Sequence, residues 1–173
     1  GGVAKTTTVA SLGAAMVENG RRVLLVDLDP QGCLTFSLGQ DPDKLAVSIH
    51  EVLLGDVEPD AALVDTAEGM TLLPANIDLA GAEAMLLMRA GREYALKRAL
   101  AKLGDRFDVV IIDCPPSLGV LTLIGTWSAL TWERTKVWES DTTLWDDTAP
   151  KAKDSTVILV AMAQQDLSNS ALS

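Results

Sequence analysis

Gly1-Gly2-Val3-Ala4-Lys5-Thr6-Thr7-Thr8 opens the chain, and its reading decides the fold. A lysine followed by hydroxyl residues, after a glycine-rich turn and before a helix, has the chemistry of a phosphate cradle. Backbone N–H groups and the helix N-terminus attract anionic phosphates, Lys5 adds a point charge, and a threonine hydroxyl can ligate Mg²⁺. The strict template G-x-x-x-x-G-K-[ST] is not met. Ala4 stands where its second glycine would be, and its first would precede residue 1. By itself the stretch also fits a glycine-rich turn with a helix N-cap. A cradle needs a strand feeding into it, so a chain that begins inside one is expected to be a piece of a longer protein.

Outward from the loop, Val9, Leu12, Gly13 and Met16 fall on one helical face, and Asn19-Gly20 stops the helix. Val23-Leu24-Leu25-Val26 is a continuous apolar run ending at Asp27, which predicts a buried strand of a parallel sheet. Asp27-Leu28-Asp29-Pro30-Gln31-Gly32 reads as a loop. Ser48-Ile49-His50-Glu51 is a capping box for a short helix ended by Gly55, with His50 expected at the surface. Met70–Leu73 predicts a strand. From Asp78 to Leu103 the pattern is helical, with an interruption near Gly91 and a buried stripe of Leu96, Leu100 and Leu103. Phe107–Asp113 is the clearest strand, filled with β-branched residues, and again it ends in an aspartate.

Helix and strand alternate to about residue 124, the pattern of an α/β domain with a mainly parallel, doubly wound sheet. Ligands bind such sheets at the carboxyl ends of the strands, where Asp27, Asp29 and Asp113 all fall. Each aspartate alone could be a polar residue at a strand exit. Their convergence with the lysine loop favours phosphate chemistry.

Composition narrows the function classes. The chain has 173 residues, 48% hydrophobic and 22% charged, enough for one domain with a sizeable core. A net charge of −10 opposes nonspecific nucleic-acid binding by the chain as a whole. Cys33 and Cys114 form no CxxC pair, which argues against a thiolate metal site or disulfide framework and fits a reducing cytoplasm. Both read as small core or loop residues. His50 is the only histidine and has no triad context. No apolar run approaches the roughly 18 residues of a membrane span. Arg98, Lys102 and Arg106 share a helix face, which reads as a solvated face before it reads as a DNA contact.

Three blocks, GGVAKTTT, RRVLLVDLDPQGCLTFSLG and FDVVIIDCPPSLGVLTL, together resemble the ParA/MinD superfamily of deviant Walker ATPases. DLDPQG, IIDCPPSLG and SIHEVLLGD are closest to its ParA (Soj-like) chromosome- and plasmid-partitioning branch. The resemblance covers residues 1–124 and implies a P-loop fold that here is incomplete at both ends. It implies that residues Gly1, Gly2, Val3, Ala4, Lys5, Thr6 and Thr7 cradle ATP. Lys5 would contact the β- and γ-phosphates, Thr6 would ligate Mg²⁺, and Thr7 would contact the α-phosphate. Asp29 would orient the attacking water, Asp113 would hold Mg²⁺ through water, and Asp27 would sit behind the Mg²⁺ ligands. The implied partners are ATP, a ParB-like protein, nonspecific DNA and a second copy on ATP binding, with no stable membrane anchor, in a cytoplasmic, nucleoid-associated protein. A noncatalytic fragment and a membrane-associated MinD-like positioning ATPase are the alternatives. If the Ala4 position requires a positive φ, alanine there costs about 1 kcal/mol and slows turnover.

After Leu123 the resemblance stops. Trp127, Trp132, Trp138 and Trp145 sit at spacings that match neither helix nor strand, and residues 125–173 are expected to form an atypical tail. A reading-frame change or truncation would explain it. An insertion would too, with Val157–Val160 as the displaced next strand. Thr156–Val160 is the one stretch of the tail that reads as a strand.

Overall fold

Two aspartate-ended apolar runs set the centre of the sheet. In the computed structural model, which describes residues 3–91, 94–115 and 156–160, Val23–Asp27 (β1) is buried at all five positions. Continuous burial requires cover on both faces, which only helices on both sides supply. Val109–Asp113 (β4) lies parallel beside it, with Val23 opposite Val109 and Asp27 opposite Asp113. Thr71–Leu73 (β3) is parallel to β1 on its other side, and Val64–Asp65 (β2) pairs antiparallel with β3. Thr156–Val160 (β5) is parallel to β4, so the order is β2-β3-β1-β4-β5. The predicted doubly wound, mainly parallel sheet is what these strands form.

One face of the sheet is covered by the helix Val3–Glu18 (α1) and the short helix Cys33–Ser37 (α2). Val9 and Leu34 pack there with Leu25, Met70, Leu72, Val109 and Ile111. Gly13 lets α1 close on the sheet, since a Cβ there would lie 2.5 Å from Met70 Sδ and 3.0 Å from Leu25 Cδ2. The other face carries Ile49–Leu54 (α3), Leu79–Leu87 (α4) and Ala95–Leu103 (α5), whose Ile49, Leu79, Leu86, Leu96 and Leu103 meet Leu24, Val26, Leu73 and Ile112. The alternation of Leu24 and Val26 with Leu25 is the period-two geometry of a strand packed on both sides.

The helical stretch over residues 78–103 is two helices, broken near Gly91 as the sequence indicates. Gly91, at φ 72°, takes a backbone conformation that no right-handed helix continues. The capping box is present as read. Ser48 Oγ accepts the His50 amide, Glu51 Oε2 accepts the Ser48 amide at 2.8 Å, and Gly55 ends the helix. His50 is half-buried rather than fully at the surface. Its side chain is 22% exposed, and its Nδ1 is buried without a hydrogen bond, 3.3 Å from Glu51 Oε1. At the opposite end of the central strands, Arg22 and Asp108 form a clasp. Asp108 accepts from the Arg22 amide at 2.8 Å and from its guanidinium at 2.7 and 3.1 Å. Among the described residues no helix is long and apolar enough to cross a membrane.

Candidate functional site at the carboxyl edge of the sheet

Because β1 and β4 are parallel, their carboxyl ends share one edge, and α1 starts there. Thr6, in the first turns of α1, donates its hydroxyl to Asp113 Oδ2 at 2.6 Å. Asp113 Oδ1 is buried and has no hydrogen-bond partner. Lys5 is only 9% exposed, and its positive charge acts on Asp113. Burial pushes the Asp113 carboxyl above its ordinary range, while the Thr6 hydrogen bond and then Lys5 hold it down. Asp29, half-buried on the following loop, adds a like charge that pushes it up again.

Asp27 is fully buried, and both its oxygens are engaged by the loop that follows. Oδ1 accepts the Asp29 amide at 3.0 Å, and Oδ2 accepts the amide and hydroxyl of Thr35 at 2.9 and 2.8 Å. Burial pushes Asp27 up to about 7 against the pull of those hydrogen bonds, with Asp113 a further upward push. The loop itself is tight. Asp29 Oδ1 accepts the Gln31 amide at 3.0 Å, and its carbonyl accepts the Gly32 amide at 2.9 Å. Gly32 has φ 60°, and a Cβ on it would meet Pro42 at 3.0 Å and the Ala75 carbonyl at 3.1 Å.

The fold therefore brings Lys5, Thr6, Asp27, Asp29 and Asp113 to one edge, from three segments distant in sequence. Thr7 is exposed on α1 beside them, and Val3 and Ala4 begin that helix. Gly1 and Gly2 lie outside the described residues. Ala4 has helical backbone, and among the described residues no non-glycine has a positive φ, so the anticipated strain at Ala4 is absent. Thr35 was not anticipated. Nothing local marks it, because its partners come from eight and forty residues away. Cys114 is buried, and burial first, then Asp113, pushes its thiol up to about 12, the state of an inert packing residue. Cys33 is exposed at the start of α2. The helix face expected to carry Arg98, Lys102 and Arg106 holds only the first two, because α5 ends at Leu103 and Gly104, at φ 57°, turns the chain before Arg106. Lys102 meets Glu58 at 2.8 Å, Arg106 meets Asp60, and Arg98 donates to the Gly91 carbonyl at 3.0 Å.

One ammonium among three carboxylates does not by itself attract an anion. Such a set of charges is compatible with an anion that carries its own divalent cation. Among the described residues there is no cluster of three His, Cys, Asp or Glu side chains able to hold a metal ion.

Known proteins share this sequence and fold. A family model described as an AAA domain matches residues 1–131. The sporulation initiation inhibitor protein Soj of Bacillus subtilis is 46% identical over 124 residues, 71% of this chain and 49% of Soj. The chromosome partitioning protein ParA of Myxococcus xanthus is 46% identical over 125 residues, 71% of this chain and 44% of that protein. The chain thus spans about half the length of these relatives. A Mycobacterium smegmatis crystal structure, named cobyrinic acid a,c-diamide synthase with bound ADP and magnesium, superposes with a TM-score of 0.74. It is 69% identical and covers 92% of this chain and 68% of its own. With these motifs in this order on this fold, the chain belongs to the ParA/MinD superfamily of deviant Walker ATPases, on its ParA (Soj-like) side.

Proposed function

We propose that this chain is the nucleotide-binding part of a ParA-type ATPase that binds and hydrolyses ATP with Mg²⁺ to drive segregation of chromosomal or plasmid DNA. The observation that carries the reading is the pair Thr6–Asp113, with one Asp113 oxygen held by the hydroxyl and the other buried without a partner. A buried carboxylate oxygen without a donor is costly unless a cation or ordered water meets it. The residues present therefore fit Mg²⁺, with Thr6 and Asp113 to hold it, Asp113 through water. When bound, Mg²⁺ neutralises phosphate charge and aligns the terminal phosphoryl group.

The chain's own residues supply the rest. Residues 1–7 cradle the phosphates with backbone N–H groups at the start of α1. Lys5 neutralises charge on the β- and γ-phosphates, and Thr7 donates to the α-phosphate. Asp29 accepts a hydrogen bond from the attacking water and orients it. Asp27 stands behind the metal ligands and holds the Asp29 loop. Phosphoryl transfer needs positioning and charge neutralisation more than covalent catalysis, which this constellation of one lysine, two threonines and three carboxylates can provide. Structures 69% identical to this chain are described with ADP and with an ATP analogue, each with magnesium, which supports the cofactor assignment. A ParB-like partner, nonspecific DNA and a second copy of the chain on ATP binding complete the reading, in the cytoplasm at the nucleoid.

Calorimetry with Mg²⁺ and a nonhydrolysable ATP analogue tests it. The chain binds, Lys5→Ala weakens binding at least tenfold, and equal binding by the two would sink the reading. Hydrolysis then separates an ATPase from a noncatalytic fragment that only binds.

The name carried by the 69% identical structure favours a second reading, ATP-dependent amidation of a carboxylate. ATP turnover stimulated by cobyrinic acid and glutamine, rather than by DNA and a ParB-like protein, would select it.

A further inference from the structure

Thr35 is fully buried, and its polar groups converge on the candidate site. Its amide and hydroxyl donate to Asp27 Oδ2, and its hydroxyl oxygen accepts the Ala75 amide at 2.9 Å. The opposite oxygen of Asp27 accepts the Asp29 amide. A continuous line of hydrogen bonds therefore runs from Ala75, just beyond β3, through Thr35 and Asp27 to the backbone of Asp29. A hydroxyl has one proton and two lone pairs. Committing the proton to Asp27 turns a lone pair toward Ala75, so each bond fixes the other, and in a dry interior the two polarise one another. The Ala75 carbonyl, in the following peptide, also crowds the loop, since a Cβ on Gly32 would lie 3.1 Å from it. The loop that carries Asp29 thus meets the segment after β3 at both backbone polar groups of Ala75.

We infer that Thr35 is a positioning residue: by joining the Asp27 carboxylate to the Ala75 amide, its hydroxyl fixes the loop on which Asp29 orients water. The inference rests on the proposed role of Asp29 and extends it to a residue that touches neither nucleotide nor water. It separates Thr35 from a residue that only fills space. The hydroxyl, not the methyl, carries the effect, and the effect reaches the reaction only through Asp29.

Two measurements on the whole chain test it. The first is amide hydrogen exchange without nucleotide, on Thr35→Val and Thr35→Ser. In Thr35→Val the Ala75 and Asp29 amides exchange at least tenfold faster, while Leu25 and Ile111 in the central strands keep their rates. Thr35→Ser exchanges as the wild type does. An unchanged Asp29 rate in the valine variant, or fast exchange in the serine variant, overturns the inference. Should the valine variant not fold, the serine variant still decides between hydroxyl and methyl. The second is hydrolysis per nucleotide-binding site. Thr35→Val lowers kcat at least tenfold with affinity for the Mg²⁺–ATP analogue within threefold of wild type, and adds no loss in an Asp29→Ala background. Losses that multiply in the double variant would mark Thr35 as merely structural. The exchange measurement needs no ligand. Absence of nucleotide binding therefore defeats the ATPase reading, and a slow Asp29 amide in Thr35→Val defeats only this inference.

Discussion

Thr6 on α1 and Asp113 at the end of β4, 107 residues apart, share a 2.6 Å hydrogen bond. It joins the helix that begins at the phosphate cradle to the strand that ends in an unpartnered carboxylate oxygen. Thr6→Val keeps the shape and removes the hydroxyl. The expected outcome is a loss of about 10- to 100-fold in the Mg²⁺-dependent part of ATP-analogue binding, the usual effect of disturbing a metal site's supporting ligands. Calorimetry with Mg²⁺ and with a chelator measures it. A valine variant that keeps the full Mg²⁺ effect would remove Thr6 from the metal site.

Asp27 makes stability depend on pH in a direction unusual for a carboxylate. Its folded-state pKa of about 7 lies above the ordinary 3.8, so the folded chain binds this proton more tightly than the unfolded chain does. Its contribution is full below about pH 4, declines as pH rises toward 7, and is level beyond. The difference across that window is at most about 4 kcal/mol. Asp113, also raised by burial, acts with the same sign. Urea midpoints of the nucleotide-free chain between pH 4 and 7.5, wild type minus Asp27→Asn, fall with rising pH. A flat difference would contradict the burial argument.

Asp108 acts in the opposite sense. Hydrogen bonds from Arg22 hold its carboxyl down at about 2, so its contribution is present above pH 3.8 and is lost as pH falls toward 2. Arg22 is mostly exposed, so the effect is small. Asp108→Ala lowers the melting temperature slightly at pH 6, and the difference from wild type vanishes near pH 2. Thermal melts at the two pH values check it.

Two helical glycines should respond oppositely to alanine. Gly13→Ala forces a Cβ against Met70 and Leu25 in a full core and costs about 1–3 kcal/mol from overpacking, set against up to about 1 kcal/mol of helix propensity. Gly81 on α4 has open space where its Cβ would lie, so Gly81→Ala is expected to stabilise by about 0.5–1 kcal/mol. Chemical denaturation of both variants separates packing from propensity.

What the chain made legible is what short segments determine. Val23–Asp27 and Val109–Asp113 were readable because strands buried on both faces must be continuously apolar. Ser48 and Glu51 were readable because a capping box lies within one helical turn. Thr35 was not, since Leu34-Thr35-Phe36 has no period and its burial depends on Asp27 and Ala75. His50, read as a surface residue, is half-buried, because its partial cover depends on how α3 packs in three dimensions and not on its place in the first turn. Spacing put Arg98 and Lys102 on one helix but wrongly added Arg106, which lies past the Gly104 turn, and Glu58 and Asp60, which pair with Lys102 and Arg106, lie 44 and 46 residues earlier. Ala4 raised a backbone worry that the helical start of α1 dispels.

The central strand pair is built asymmetrically. At its entry an arginine and an aspartate draw the two chains together, and at its exit Asp27 and Asp113 face each other as like charges. The backbone stays joined at that exit too, where the Leu28 amide donates to the Asp113 carbonyl at 2.8 Å, so the carboxylate charge is gathered on a firmly held edge. A divalent ion bound at that edge would favour the folded chain over the unfolded one, so loading the protein and hardening it would be a single event.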